Sequence, residues 1–207
     1  MRILFQGDSI TDADRDKSNY FDLGQGYPKY AAKYLREMFP DKDLEFIDLG
    51  ISGDKTSDLV NRMQTDFIDI KPDIVSIMIG INDTWHRAEN RDWLPHEEFE
   101  RNYRELLEAI TNKTDAKIVI IEPFLLPAPD KTFFREDLDP KIHIVRKLAR
   151  EYADMFIPLD GLLASYWVNE DYRIFSEDGV HPTYGRGADC IGRIYADYVS
   201  ELIRKIG

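Results

Sequence analysis

Five short apolar runs recur along the chain, at Ile3–Phe5, Leu44–Leu49, Ile74–Ile79, Lys117–Ile121 and Met155–Leu159. They alternate with longer segments in which Leu, Tyr and Ala return at intervals of three and four residues: Tyr27–Phe39, Thr56–Phe67, Pro95–Thr111 and Asp139–Tyr152. The short runs read as strands and the longer ones as crossover helices, with Thr183–Ile206 as a last helix. This βαβ alternation predicts an α/β protein whose parallel sheet is doubly wound, with helices on both faces. A length of 207 residues fits one such domain with a substantial core.

Ligands of doubly wound sheets bind beyond the carboxyl ends of the strands, where strand order reverses. The loops that follow strands therefore matter most. The first strand runs into Gly7-Asp8-Ser9, the second into Gly50-Ile51-Ser52-Gly53-Asp54, and the third into Gly80-Ile81-Asn82-Asp83-Thr84-Trp85. A long segment, Phe124–Pro140, follows the fourth strand; its Leu125-Leu126 and Phe133-Phe134 pairs are expected to form a lid or an oligomer contact. After the fifth strand the chain passes through Gly161–Phe175 to reach Asp178-Gly179-Val180-His181-Pro182.

Composition narrows the function classes. With 27 Lys and Arg against 39 Asp and Glu, the formal net charge of −12 works against binding to phosphate backbones or anionic lipid, so neither nucleic acid nor membrane is an expected partner. Met1-Arg2 leads straight into Ile3-Leu4-Phe5, too short for a signal-peptide apolar region, and no run approaches the roughly 20 residues that span a bilayer. A cytoplasmic location is the expectation, unless a leader has been removed. The single cysteine, Cys190, forms no internal disulfide and excludes metal sites built on paired cysteines.

The strand-end loops hold the parts of an activated serine site, which needs a base, a partner that orients the base, and donors for an oxyanion. Ser9 stands at the rim of the sheet with its own N–H free. Gly53, lacking Cβ, lets backbone approach a ligand and offers a second N–H. Asn82 supplies a neutral amide donor. Asp178 and His181, three residues apart in one turn, give a carboxylate that aligns an imidazole toward Ser9. No Gly-x-Ser-x-Gly elbow occurs, as an α/β-hydrolase would require. His96-Glu97-Glu98 lacks the second histidine of a zinc protease, and no Gly-x-Gly-x-x-Gly or phosphate loop supports nucleotide binding.

Taken in order, Gly7-Asp8-Ser9, Gly53, Gly80-x-Asn82-Asp83 and Asp178-x-x-His181 resemble the SGNH hydrolases, also called the GDSL lipase/esterase superfamily, over essentially the whole chain. The resemblance implies a flavodoxin-like three-layer α/β/α sandwich with a five-stranded parallel sheet. It implies Ser9 as nucleophile, His181 as general base, Asp178 as its partner, and an oxyanion hole of Ser9 N–H, Gly53 N–H and the Asn82 amide, with no metal or cofactor. Ile10 stands where the name-giving tetrapeptide has leucine, a swap of similar volume. Together, the blocks around Ser9, Gly53, Asn82 and His181 look most like the intracellular acetylxylan esterase and carbohydrate acetylesterase branch. That likeness implies deacetylation of a small-molecule ester such as an acetylated xylo-oligosaccharide, and a homo-oligomer. Lysophospholipases and thioesterases use the same blocks. A non-catalytic carbohydrate-binding module is the reading from another class, and an intact Ser9, Asp178 and His181 argue against it.

Neighbouring residues carry weaker expectations. Trp85, three residues beyond Asn82, is expected to wall an acyl pocket, carry a sugar ring or pack in the core. Tyr184, three after His181, is expected to point to the cleft from the first turn of the last helix. Asp8 is placed beside substrate, although a turn carboxylate that accepts backbone N–H bonds is its commoner role. The same role suits Asp83, while Thr11 and Ser52 read as turn and cap residues. His86, His96 and His143 show no partner in sequence and are assigned to surface or packing positions.

Overall fold

The computed structural model describes residues 1–206. Five strands, β1 (Arg2–Gly7), β2 (Glu45–Asp48), β3 (Ile74–Met78), β4 (Lys117–Ile121) and β5 (Met155–Ile157), form one parallel sheet in the order β2-β1-β3-β4-β5. The fifth strand is shorter than its apolar run, because Leu159 already begins a helix.

Eight α-helices are described: α1 (Ser9–Asp12), α2 (Tyr27–Met38), α3 (Thr56–Asn61), α4 (Ile81–Trp85), α5 (His96–Lys113), α6 (Arg135–Tyr152), α7 (Leu159–Trp167) and α8 (Arg186–Ile206). Alternate residues of the strands feed two cores, as the period-two geometry of a strand requires. Ile3, Phe5, Ile74, Val119 and Ile121 pack with α2 and α8. Leu4, Val75, Ile77, Ile118 and Ile120 pack with α3, α5 and the far end of α6. Each fully buried aliphatic side chain contributes about 1.5–3 kcal/mol, so the doubly covered sheet is the rigid base from which the loops project.

Two expectations are corrected here. Phe124–Pro140, expected as a lid or an oligomer contact, is not a lid: Phe124, Leu125, Leu126 and Phe134 are buried in the core. A 3₁₀ turn at Thr132–Phe134 leads directly into α6, and Pro140 lies inside that helix. The last helix begins at Arg186 rather than Thr183, which leaves Pro182, Thr183 and Tyr184 in the segment ahead of it.

The order β2-β1-β3 puts the switch point between β1 and β3, with β1 running on into Asp8-Ser9 and β3 into Gly80-Ile81-Asn82. No helix among the described residues is long and apolar enough to cross a membrane.

Candidate active site

Ser9 is the first residue of α1, and Asp8 is the helix's N-cap. The Asp8 side chain accepts a hydrogen bond from the Ile10 N–H at 3.0 Å. It is buried, at 1% exposure, which corrects the expectation that it meets substrate: Asp8 is the cap that sets the turn under Ser9. Burial pushes its carboxyl up to about 7, against the lowering effects of the Ile10 N–H and of His181. Ser52 also proves to be a tied turn residue, donating its N–H and hydroxyl to the buried Asp12 at 2.9 and 2.6 Å.

Asp178-Gly179-Val180-His181 faces this turn from the chain ahead of α8. Ser9 Oγ lies 2.9 Å from His181 Nε2, and His181 Nδ1 lies 2.8 Å from Asp178 Oδ2. The other Asp178 oxygen accepts from the N–H groups of Val180 and His181, at 2.9 and 2.8 Å, and from the Ser176 hydroxyl at 3.1 Å. Burial alone would raise the Asp178 carboxyl; the hydrogen bonds from the His181 ring and from these backbone groups outweigh it and hold the carboxyl well below its usual range. The same Asp178–His181 bond lifts the imidazole above 6.5.

Gly179 makes this turn possible. Its φ is +84°, and a Cβ there would stand 2.7 Å from Ala128 Cβ and 2.9 Å from the Leu126 carbonyl oxygen. Leu126 donates its N–H to the Gly179 carbonyl at 2.8 Å. The segment after β4 is therefore the floor beneath the His181 turn.

Gly53 has φ +90°, with nothing crowding the position of its absent side chain. Neither its N–H nor that of Ser9 is taken by a hydrogen bond among the described residues. Asn82 sits in the first turn of α4, nearly buried, and spends one amide hydrogen on the Asp54 carbonyl at 3.1 Å. That bond aims the amide at the Gly53 loop and leaves its second hydrogen free. Ser9, Gly53, Asn82, Trp85, His86 and His181 line a cavity of about 340 Å³.

Several supports had no clear signal in the sequence. Arg62 ties the Gly53-Asp54 loop to the sheet, bonding Asp54 at 2.9 Å, Gln6 at 2.8 Å and Asp66 at 2.9 Å. Asp83, in the first turn of α4, accepts from Thr56 N–H and Oγ1 and so caps α3, and burial raises its carboxyl to about 6. Behind α4, Lys141 is fully buried. It pairs with Asp137 and donates to the Asp83 carbonyl at 3.1 Å and to Thr84 Oγ1 at 3.2 Å.

His96 has a partner after all, its Nε2 lying 3.1 Å from Asp137, and His86, expected on the surface or in packing, lines the cavity beside Ser9. Trp85 stands beside His181, packed edge-on against Phe134 with Lys131 Nζ 5.2 Å from its ring centre. Tyr184 does reach the cleft, lining a second cavity on the other side of Ser9.

The GDSL-like Lipase/Acylhydrolase family model matches residues 5–184. The chain belongs to this family. Membership makes it a carboxylic ester hydrolase with the SGNH-type α/β fold, in agreement with the motifs. An acetylxylan esterase of Geobacillus stearothermophilus is 31% identical over 193 residues, covering 88% of this chain and 86% of that protein. A crystal structure of an acetylxylan esterase from the same organism covers 100% of this chain and 94% of its own at 28% identity, with a TM-score of 0.82. A putative GDSL-like lipase from Parabacteroides merdae has a TM-score of 0.89 at 31% identity, covering 95% of this chain and 94% of its own.

Proposed function

We propose that this hydrolase is a serine esterase that removes short acyl groups, acetyl above all, from carbohydrate through an acyl-enzyme. The observation that carries the reading is the Ser9 Oγ–His181 Nε2 separation of 2.9 Å, in a chain of hydrogen bonds that ends on Asp178 and opens on a small cavity walled by Trp85.

Asp178, held ionised, accepts from Nδ1–H and so fixes the tautomer in which Nε2 is unprotonated and can take the Ser9 proton. Ser9 Oγ then attacks the acyl carbon. Charge grows on the former carbonyl oxygen, facing the Ser9 and Gly53 N–H groups and the free Asn82 amide hydrogen. These donors are already in place and pay no reorganisation as the charge develops. His181, now an imidazolium stabilised by Asp178, gives its proton to the leaving alcohol. The acyl group stays on Ser9 until water, deprotonated by the same imidazole, attacks and restores the hydroxyl.

The acetyl preference is supported by Trp85, whose indole limits the space on the acyl side, and by the likeness to the Geobacillus acetylxylan esterase. A neutral sugar ester also suits a chain of net charge −12 better than a polyanion does. The test is product analysis after incubation with an acetylated xylo-oligosaccharide, a lysophospholipid and an acyl-thioester. Fastest release of acetate from the sugar is expected; fastest release of a long acyl chain, or of a thiol, would replace this reading.

A further inference from the structure

The hydrolytic steps leave unused a pair of side chains on the side of Ser9 away from Trp85. A cavity of about 350 Å³ opens there, bordered by Ser9, Ala13, Asp14, Ser52, Pro182 and Tyr184. With the acyl group against Trp85, this is the space left for the alcohol.

Its wall is built at a cost. Ala13 and Asp14, consecutive residues with side chains, have φ of +38° and +62°, in the left-handed region that is unfavourable for both. The turn is held by the surrounding chain: Ala13 N–H donates to the Ser9 carbonyl at 3.0 Å, Arg15 N–H to the Asp12 carbonyl at 2.9 Å, and Gln25 N–H to the Ala13 carbonyl at 2.8 Å. The outcome is an exposed Asp14 carboxylate at the cavity edge. Tyr184 donates its hydroxyl to Asp14 Oδ2 at 2.7 Å, and its carbonyl accepts from the Tyr30 hydroxyl at 2.8 Å. The side chain is thus held at its hydroxyl and the backbone at its carbonyl, while the residue remains half exposed. Asp14 Oδ1 has no partner among the described residues.

A fixed aromatic face beside a carboxylate with a spare acceptor matches the two kinds of surface on a pyranose. Its C–H face meets the negative face of a ring, and its hydroxyls donate to a charged acceptor. We propose that Asp14 and Tyr184 form the alcohol-side subsite: Tyr184 stacks on the sugar, and Asp14 Oδ1 accepts from a hydroxyl neighbouring the ester. This rests on the carbohydrate reading above.

The test compares kcat/KM for an acetylated xylo-oligosaccharide with kcat/KM for p-nitrophenyl acetate in wild type, Asp14→Ala, Asp14→Asn and Tyr184→Phe. The sugar-to-aryl ratio should fall about ten-fold in Asp14→Ala, the loss expected for one charged hydrogen bond to substrate, and appear chiefly in KM. Asp14→Asn tolerates the left-handed turn and keeps a neutral acceptor, so it should recover part of the ratio. Tyr184→Phe keeps the ring and should fall between wild type and Asp14→Ala. An unchanged ratio in both Asp14 variants of a sugar-active enzyme would overturn the subsite alone. Equal losses on both substrates would also overturn it, making the pair a tether between the Ser9 and His181 loops. Wild type that releases no acetate from the sugar but cleaves lipid ester or thioester would remove the carbohydrate reading and the subsite with it.

Discussion

The Trp85 indole lies 5.6 Å from the His181 imidazole, centroid to centroid, with the two planes inclined at 49°. Phe134 packs edge-on against the same indole, 5.8 Å away centroid to centroid, and helps to hold it beside His181. Acetyl esters should be preferred, with a steep fall by butyryl, since each extra methylene in an apolar pocket is worth about 1–3 kcal/mol of discrimination. Trp85→Ala should flatten the series. Ratios of kcat/KM for acetyl, butyryl and octanoyl esters check this, and a wild-type optimum at octanoyl would remove the role given to Trp85.

Asn82→Ala should lower kcat by about 10²–10³ with a smaller change in KM, because the free amide hydrogen acts on the developing oxyanion rather than on bound substrate. The Asp54 carbonyl would also lose its donor. A change confined to KM would make Asn82 a ground-state binding residue.

The pH profile follows from His181. Only the neutral imidazole can take the Ser9 proton, and the Asp178 hydrogen bond lifts its pKa above 6.5. The acid limb of kcat/KM should therefore have its midpoint above 6.5, with activity rising toward mildly alkaline pH. Asp178→Asn removes the charge that favours imidazolium and should move any residual acid limb downward. A maximum near pH 4 in intact enzyme would contradict this base.

Lys141 predicts a stability effect. It is buried with Asp137 and holds the Asp83 carbonyl and Thr84 of α4 from behind. Burial pulls the Lys141 ammonium below its usual range despite that partner. Lys141→Met leaves Asp137 buried without its cation and should cost about 3–5 kcal/mol, whereas the double variant Lys141→Met/Asp137→Leu should recover much of it. Denaturant midpoints measure both; equal stability of wild type and single variant would mean the pair is not desolvated.

How far the sequence could be read depended on whether a contact was local. The five strands were visible because buried apolar runs are a local pattern, and Ser9, Gly53, Asn82, Asp178 and His181 because each sits just after a strand or in one short turn. Leu125-Leu126 reads as part of a lid or an oligomer contact because nothing local reveals that the two are buried and that Leu126 runs beneath Gly179. The Arg62–Asp54 and Thr56–Asp83 bonds join residues of different elements and have no periodic signature. Asp137 and Lys141 are four apart on one helix face, a spacing that signals an ion pair but is equally common in solvent; only the packing of α4 over them makes it a buried one. The helical start expected at Thr183 lies at Arg186 instead, and Thr183 is tied back to the earlier chain by contacts distant in sequence, its N–H donating to the Phe175 carbonyl at 2.8 Å and its hydroxyl to the Ile174 carbonyl at 2.9 Å.

The proposed hydrolysis requires that Ser9 become acylated. Mass spectrometry after exposure to a fluorophosphonate reads this directly, since the reagent traps a serine activated by a neighbouring base. A single adduct is expected on the peptide carrying Ser9, and none on folded Ser9→Ala protein. Folded wild type that takes no label, or a label on another residue that persists in Ser9→Ala, would contradict it.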